Sequence, residues 1–406
     1  MPEALECLRP GRIGGLTIRN RLIRAPTSES ISGPDGEVTC EILDMYRALA
    51  RGGVGLIMTG HLFIDRRGRH VTKQIGIHDD SCLPGLRELV DTVHAEGGRI
   101  FAEFGHAGSQ SSVPDNVPLS PSAVPNVMTG RMPAAMTESD IEAAIEAFRQ
   151  AARRAVTAGF DGIHIAGANG YLLSQFASPH TNRRDDRWGG DAQGRGRFML
   201  EAFRAIRSAI GPDMPFSARI GLLDDLPNGM PIEEGLARVA ALREARILDA
   251  VEPAQNVVPS YAKNVRPYVA VGPGRALADL LIHRVFPRTP VPDEAYFRHF
   301  ARAIKAQTDM PVILMGGIRS TQTMDDILRT GDADFIAMAR PFIREPDLVR
   351  KLEAGRRGYV DCVSCNACIR HTGKYSLRCW RTPKWRLAHY FSIVGRQALA
   401  KLVANG

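Results

Sequence analysis

Apolar residues in this chain fall into short runs at 22–26, 54–59, 100–104, 162–166, 216–220, 248–252, 312–315 and 335–339. Each run is short and largely apolar and has Pro or Gly close by, which predicts strands buried on both faces. Between the runs, apolar positions recur at helical spacing. The clearest case is 137–158, where Ile141, Ile145, Phe148, Ala152 and Ala155 define one face. Thr137 followed by Asp140 predicts a capping-box start, and Gly159 predicts the stop. Eight strands alternating with helices predict an α/β fold, a (β/α)8 TIM barrel over 1–355. Residues 356–406 form a short C-terminal Cys-rich and basic helical extension. The rival architecture, an open doubly wound sheet, lacks its Gly-x-Gly-x-x-Gly turn after the first strand.

Composition narrows the function. The chain is 44% hydrophobic and 24% charged, which is ordinary for a globular protein and excludes a fibrous or wholly disordered one. The net charge is +8, but residues 355–406 hold ten Lys/Arg against one acid, Asp361, so the remainder sums to −1. The body is therefore no nucleic-acid surface. No apolar run approaches the ~18 residues of a membrane span, and no charged-then-apolar leader opens the chain, so a cytoplasmic protein is expected. Two Pro-rich connections, 105–136 and 255–292, both follow strands. In a barrel they rise from the C-terminal face, where long loops are usually lids. The tail, 384–403, spaces Leu387, Phe391, Val394, Ala398 and Leu402 as a basic amphipathic helix. It is expected to cover its own barrel or a second copy in a homo-oligomer, with an anionic membrane or a partner as the alternative.

Two strand ends carry an anion-binding signal. Met315-Gly316-Gly317-Ile318-Arg319 closes the seventh run and Met338-Ala339-Arg340-Pro341 closes the eighth. Glycines allow close backbone approach, arginine adds a bidentate charge, and loops seven and eight are the usual phosphate cradle of barrels. The fourth run lies in Gly159-Phe160-Asp161-Gly162-Ile163-His164-Ile165-Ala166-Gly167-Ala168-Asn169-Gly170-Tyr171. Asn182-Arg183-Arg184-Asp185-Asp186-Arg187-Trp188-Gly189-Gly190 comes after it. Together with Asn20-Arg21-Leu22-Ile23-Arg24-Ala25-Pro26, Gly52-Gly53-Val54-Gly55 and Phe104-Gly105-His106-Ala107-Gly108, these resemble the Old Yellow Enzyme family of FMN-dependent NADH:flavin oxidoreductases. The resemblance runs in order over about 8–355 and is nearest to the barrel domain of 2,4-dienoyl-CoA reductase-like members.

The resemblance implies FMN at the C-terminal face of the barrel and NAD(P)H as co-substrate. The substrate it implies is a small molecule with a carbonyl-conjugated C=C bond. Gly316, Gly317, Ala339 and Arg340 match the phosphate seat. Arg219 matches the cation beside the flavin pyrimidine ring, which would raise the flavin's readiness to accept hydride. Pro26, Thr27, Ser28 and Gly60 match ring-lining positions. Tyr171 matches the proton donor to the substrate α-carbon, and Asn169 one of two partners of the carbonyl oxygen. Three positions depart from the pattern. Ala166 replaces the usual histidine, with His164 two residues earlier as the only nearby substitute on that strand. Glu103 replaces a glutamine at the flavin edge, where it needs protonation or Arg219 beside it. Ser109 replaces an arginine. These departures keep open a desaturase running the reverse reaction, or a flavin-binding electron-transfer subunit with little alkene chemistry.

Cys362, Cys365, Cys368 and Cys379 lie close together in sequence. Thiolates so spaced suit an Fe–S cluster or a zinc ion, or remain free thiols. The resemblance implies a [4Fe–4S] cluster, although two gaps are each one residue short of that pattern. Such a cluster is expected to relay electrons to a redox partner protein.

Overall fold

The computed structural model describes residues 4–258, 294–368 and 375–383, together with Arg386 and Ser392. All eight predicted strands form. They are β1 (Leu22–Arg24), β2 (Leu56–Met58), β3 (Ile100–Gly105), β4 (Gly162–Gly167), β5 (Phe216–Gly221), β6 (Ala250–Ala254), β7 (Ile313–Leu314) and β8 (Phe335–Met338). Neighbouring strands pair in parallel from β6 back through β1 to β8 and β7. A parallel bridge between Val251 and Val312 joins β6 to β7 and closes the barrel.

The strand-to-strand returns run through α1 (Cys40–Arg51), α2 (Leu83–His94), α3 (Glu138–Ala158), α4 (Ala192–Ile210), α5 (Ile232–Glu244), α6 (Arg298–Lys305) and α7 (Thr321–Arg329). The predicted capping box on α3 is present. The Thr137 side chain accepts from the Asp140 N–H, the Asp140 carboxylate accepts from the Thr137 N–H, and Gly159 closes the helix at φ 89°. Such a cap is worth roughly 1 kcal/mol.

An antiparallel hairpin, Gly11–Ile13 with Leu16–Ile18, lies outside the predicted elements. Its three-residue strands are too short to show alternation. Ile13 and Ile18 pack with Ile23, Leu56, Phe101, Ala250, Ile313 and Phe335, so the hairpin belongs to the same apolar plug that fills the barrel interior. A larger apolar layer lies between strands and helices.

The connection 105–136 is folded on itself rather than loose. Arg131 donates to the carbonyls of Ser111 at 2.6 Å and Asn116 at 2.7 Å, and Ala107 N–H reaches the Gly68 carbonyl at 2.8 Å. Most of the second Pro-rich connection and of the predicted tail helix lies outside the described residues. Among the described residues no helix is long and apolar enough to cross a membrane.

Candidate active site

Period-two alternation sends Glu103 of β3, His164 of β4, Arg219 of β5 and Glu252 of β6 to the barrel interior, above the apolar plug. All four are buried. Arg219 donates through Nε to Glu252 Oε1 at 2.8 Å, and its Nη2 stands 2.7 Å from the same oxygen. Burial works against the Arg219 charge, but Glu252 and then Glu103 outweigh it and hold the guanidinium protonated. Burial drives His164 well below the usual imidazole range, with Arg219 adding to the effect, so its ring is neutral. His164 Nδ1 lies 2.9 Å from Ser217 Oγ, and its Nε2 faces Glu252 Oε2 at 3.6 Å. The ring thus packs inside the barrel against Ser217 and Glu252 and does not line the cavity above it. His164, which could take the missing histidine's place only if the end of its strand shifted, keeps this packed position here.

Glu103 is 2% exposed. Burial lifts its carboxyl to about 8; Arg219 opposes the rise and Glu252 reinforces it. At neutral pH the group is mostly a neutral acid able to donate a hydrogen bond. A carboxyl whose folded pKa exceeds its unfolded one binds more protons when folded. The stability it confers is complete below the unfolded value near 4.5 and is lost as pH climbs to about 8. Glu103→Gln should flatten the fall in unfolding free energy over that window. Urea titrations at several pH values check this, and identical slopes in the two proteins would refute it.

A second buried polar group supports the turn after β1. Arg24 donates to the Met58 carbonyl at 2.7 Å and the Thr27 carbonyl at 3.2 Å. Glu29 accepts from Tyr46 Oη at 2.5 Å and from the Gly60 N–H at 2.8 Å. A Cβ at residue 60 would strike the Glu29 carboxylate. Gly60 therefore backs this turn, beside the cavity residue His61.

Above these groups opens a cavity of about 460 Å³. Pro26, Thr27, Ser28, Glu103, Asn169, Tyr171, Arg219, Gly316, Gly317, Ala339 and Arg340, all singled out from sequence, line it. Asn169 takes a left-handed φ of 61°, which asparagine tolerates, and its N–H binds the Gln255 carbonyl at 3.0 Å. Tyr171 caps the short helix Leu172–Ala177. Sequence reasoning missed His61, His70 and Glu252. Each follows or ends a predicted strand on the active-site side of a barrel, which was the available signal.

The residues present fit FMN. Gly316 and Gly317 take φ of 136° and 74°, and a Cβ on Gly316 would come within 3.3 Å of Phe297 N and the Tyr296 ring. Among the described residues the Gly317 N–H donates to no main-chain carbonyl. That donor, with Arg340 alongside, suits a phosphate. Glu103 and Arg219 suit the polar edge of a flavin ring.

The cysteine segment adjoins this cavity. Val360 N–H pairs with the Arg319 carbonyl at 2.9 Å, and Arg340 Nη1 donates to Asn366 Oδ1 at 2.5 Å. Ser364 borders both the main cavity and a smaller one that Cys362, Cys365, Cys368 and Cys379 line together. Among the described residues, no three His, Cys, Asp or Glu side chains meet single-ion ligation geometry.

Comparison with known proteins matches residues 7–358 to the NADH:flavin oxidoreductase / NADH oxidase family. An NADH oxidase of Thermoanaerobacter brockii is 36% identical over 381 residues, covering 92% of this chain and 55% of the relative. A metal reductase of Desulforamulus reducens is 36% identical over 366 residues, covering 89% and 51%. The chain thus spans about half the length of these two relatives. A structure of morphinone reductase in complex with tetrahydroNAD superposes with a TM-score of 0.69 at 26% identity, covering 88% of this chain and 93% of that one.

Proposed function

Because this chain belongs to the NADH:flavin oxidoreductase / NADH oxidase family, we propose that it is an FMN-dependent reductase passing hydride from NAD(P)H to a carbonyl-conjugated C=C bond. One observation carries this reading: Asn169 and Tyr171 open onto the same cavity as Arg219, Gly317 and Arg340. A guest in that cavity therefore meets an amide, a phenol and the flavin seat together. Bound there, FMN would supply two-electron hydride acceptance and donation. Gly317 and Arg340 would hold its phosphate, and Glu103 and Arg219 the polar edge of its ring.

The chain's own residues orient the substrate and manage its proton. The Asn169 amide offers a hydrogen bond to the carbonyl oxygen, where negative charge develops. The Tyr171 phenol carries the proton that goes to the α-carbon. Over the whole reaction NAD(P)H loses a hydride, the β-carbon gains it, and the α-carbon gains the proton. Arg219 does not act as an unopposed cation, since Glu252 neutralises much of its field. The rise in flavin potential expected from a lone arginine is accordingly reduced.

The four cysteines we assign to a [4Fe–4S] cluster, held by Cys362, Cys365, Cys368 and Cys379, which would supply one-electron transfer. Their cavity shares Arg340 and Ser364 with the main one, which supports exchange of electrons between the two sites. The same contact favours the second reading, an electron-transfer subunit.

Anaerobically purified protein should be yellow, contain iron and acid-labile sulfide, and, once reduced, be reoxidised rapidly by cyclohexenone in stopped flow. Slow reoxidation with iron present selects the electron-transfer subunit. Four free thiols and no iron remove the cluster. Protein that takes up no FMN removes both readings.

A further inference from the structure

We propose that His61, in the turn after β2, is the second hydrogen-bond partner of the substrate's carbonyl oxygen, acting with Asn169 from a different strand. The inference rests on the reading of the site given above and deepens it. His61 is 8% exposed, lines the main cavity, and among the described residues has no hydrogen-bond partner at either ring nitrogen. The Gly105 carbonyl lies near enough to favour its protonated form slightly, but off hydrogen-bond geometry. A buried imidazole with both nitrogens unsatisfied is uncommon in a folded protein and calls for a ligand.

The position of the ring identifies that ligand. The His61 ring centroid is 4.8 Å from that of Tyr171, so the imidazole stands beside the phenol assigned to the proton. Its Nε2 lies 2.8 Å from the point where a side chain on Gly105 would begin. The Ala166 Cβ lies 3.3 Å from the same point. Two small residues at the tops of β3 and β4 thus leave a notch, and His61 fills it from β2. Any larger side chain at 105 would evict the ring. A histidine at 166 would enter the same notch from β4. Burial, with His70, His106 and Arg219 adding to it, holds His61 down to about 3. The ring is therefore neutral and offers one N–H donor. A neutral amide and a neutral imidazole suit the oxygen of a ketone, aldehyde or ester.

The test uses FMN-loaded protein titrated calorimetrically with 4-hydroxybenzaldehyde, a planar phenol that presents one anionic oxygen. His61→Ala should weaken binding by about tenfold, the worth of one hydrogen bond to a charged oxygen, with FMN content unchanged. His61→Gln, which keeps a donor, should stay within about threefold of wild type. Adding Ala166→His to His61→Ala should restore affinity, because the imidazole returns from β4 to the same notch. A His61→Ala affinity within about twofold of wild type overturns the assignment, and so does a double variant no tighter than the single one. Wild-type protein that binds FMN but not the phenol overturns it as well. Cyclohexenone turnover is followed in parallel. Phenol binding that depends on His61, in a protein that reduces no enone, overturns the proposed reaction and leaves the His61 assignment standing.

Discussion

Replacing Arg219 by methionine is expected to cost the flavin-free protein about 3–5 kcal/mol of unfolding free energy at pH 7, the largest stability loss at any residue of the site. Methionine keeps the length and apolar stem of the side chain and removes the charge. Glu252, with no exposed surface, then loses the two contacts that hold it at 2.7 and 2.8 Å. The neutral His164 at 3.6 Å does not replace them. Glu103 loses the guanidinium that holds its pKa down and is driven further toward its acid form. An ion pair taken from water returns little net stability, but a single buried charge left behind is costly. The double variant Arg219→Met with Glu252→Gln removes both charges and should recover most of the loss. Urea unfolding of the three proteins decides the matter. A single-variant loss below about 1 kcal/mol would mean that Glu252 finds water or a proton, and the buried pair would not be what organises the cavity floor.

How much of this was legible beforehand follows from what each residue answers to. The eight strands were readable because a parallel strand buried on both faces is largely apolar, and each run overlaps one. The cap of α3 was readable because it is local: Thr137 and Asp140 need only each other. Eleven of the residues that line the cavity were singled out from sequence. What failed was the direction of side chains at strand ends. His164 and Ala166 share a face by alternation, yet only the neighbours on β5 and β6 draw the His164 ring inward, and no pattern within β4 reports them. Glu252 looked like the tail of an apolar run; its partner lies 33 residues away on the next strand. His61 belongs to a turn with no periodicity, and its reach across β3 depends on Gly105 and Ala166 both being small. The cysteine spacing was visible, but its proximity to the main cavity depends on Ser364 and Asn366 adopting left-handed φ of 50° and 59°, which spacing does not encode.

Tyr171→Phe should slow reoxidation of the reduced protein by cyclohexenone by about 10²–10⁴-fold while leaving its reduction by NAD(P)H at the wild-type rate. The two halves of the reaction ask different things of residue 171. Reduction by a nicotinamide needs a flat surface beside the guest, and phenylalanine supplies the same ring against His61 at 4.8 Å and His70 at 5.6 Å. Reoxidation by an alkene needs a proton at the α-carbon, and only the phenol oxygen carries one. His61 and His70, which burial pushes down to about 3 and about 4, hold no spare proton near neutrality. They cannot stand in as the acid. Glu103, with a carboxyl lifted to about 8, does hold one. The residual rate in Tyr171→Phe therefore tests whether this second acid reaches the substrate. A residual rate that falls as pH rises through about 8, and vanishes in Tyr171→Phe with Glu103→Gln, identifies Glu103 as the reserve donor. Wild-type rates in both half-reactions would show that the proton comes from solvent, and that Tyr171 serves only to wall the cavity.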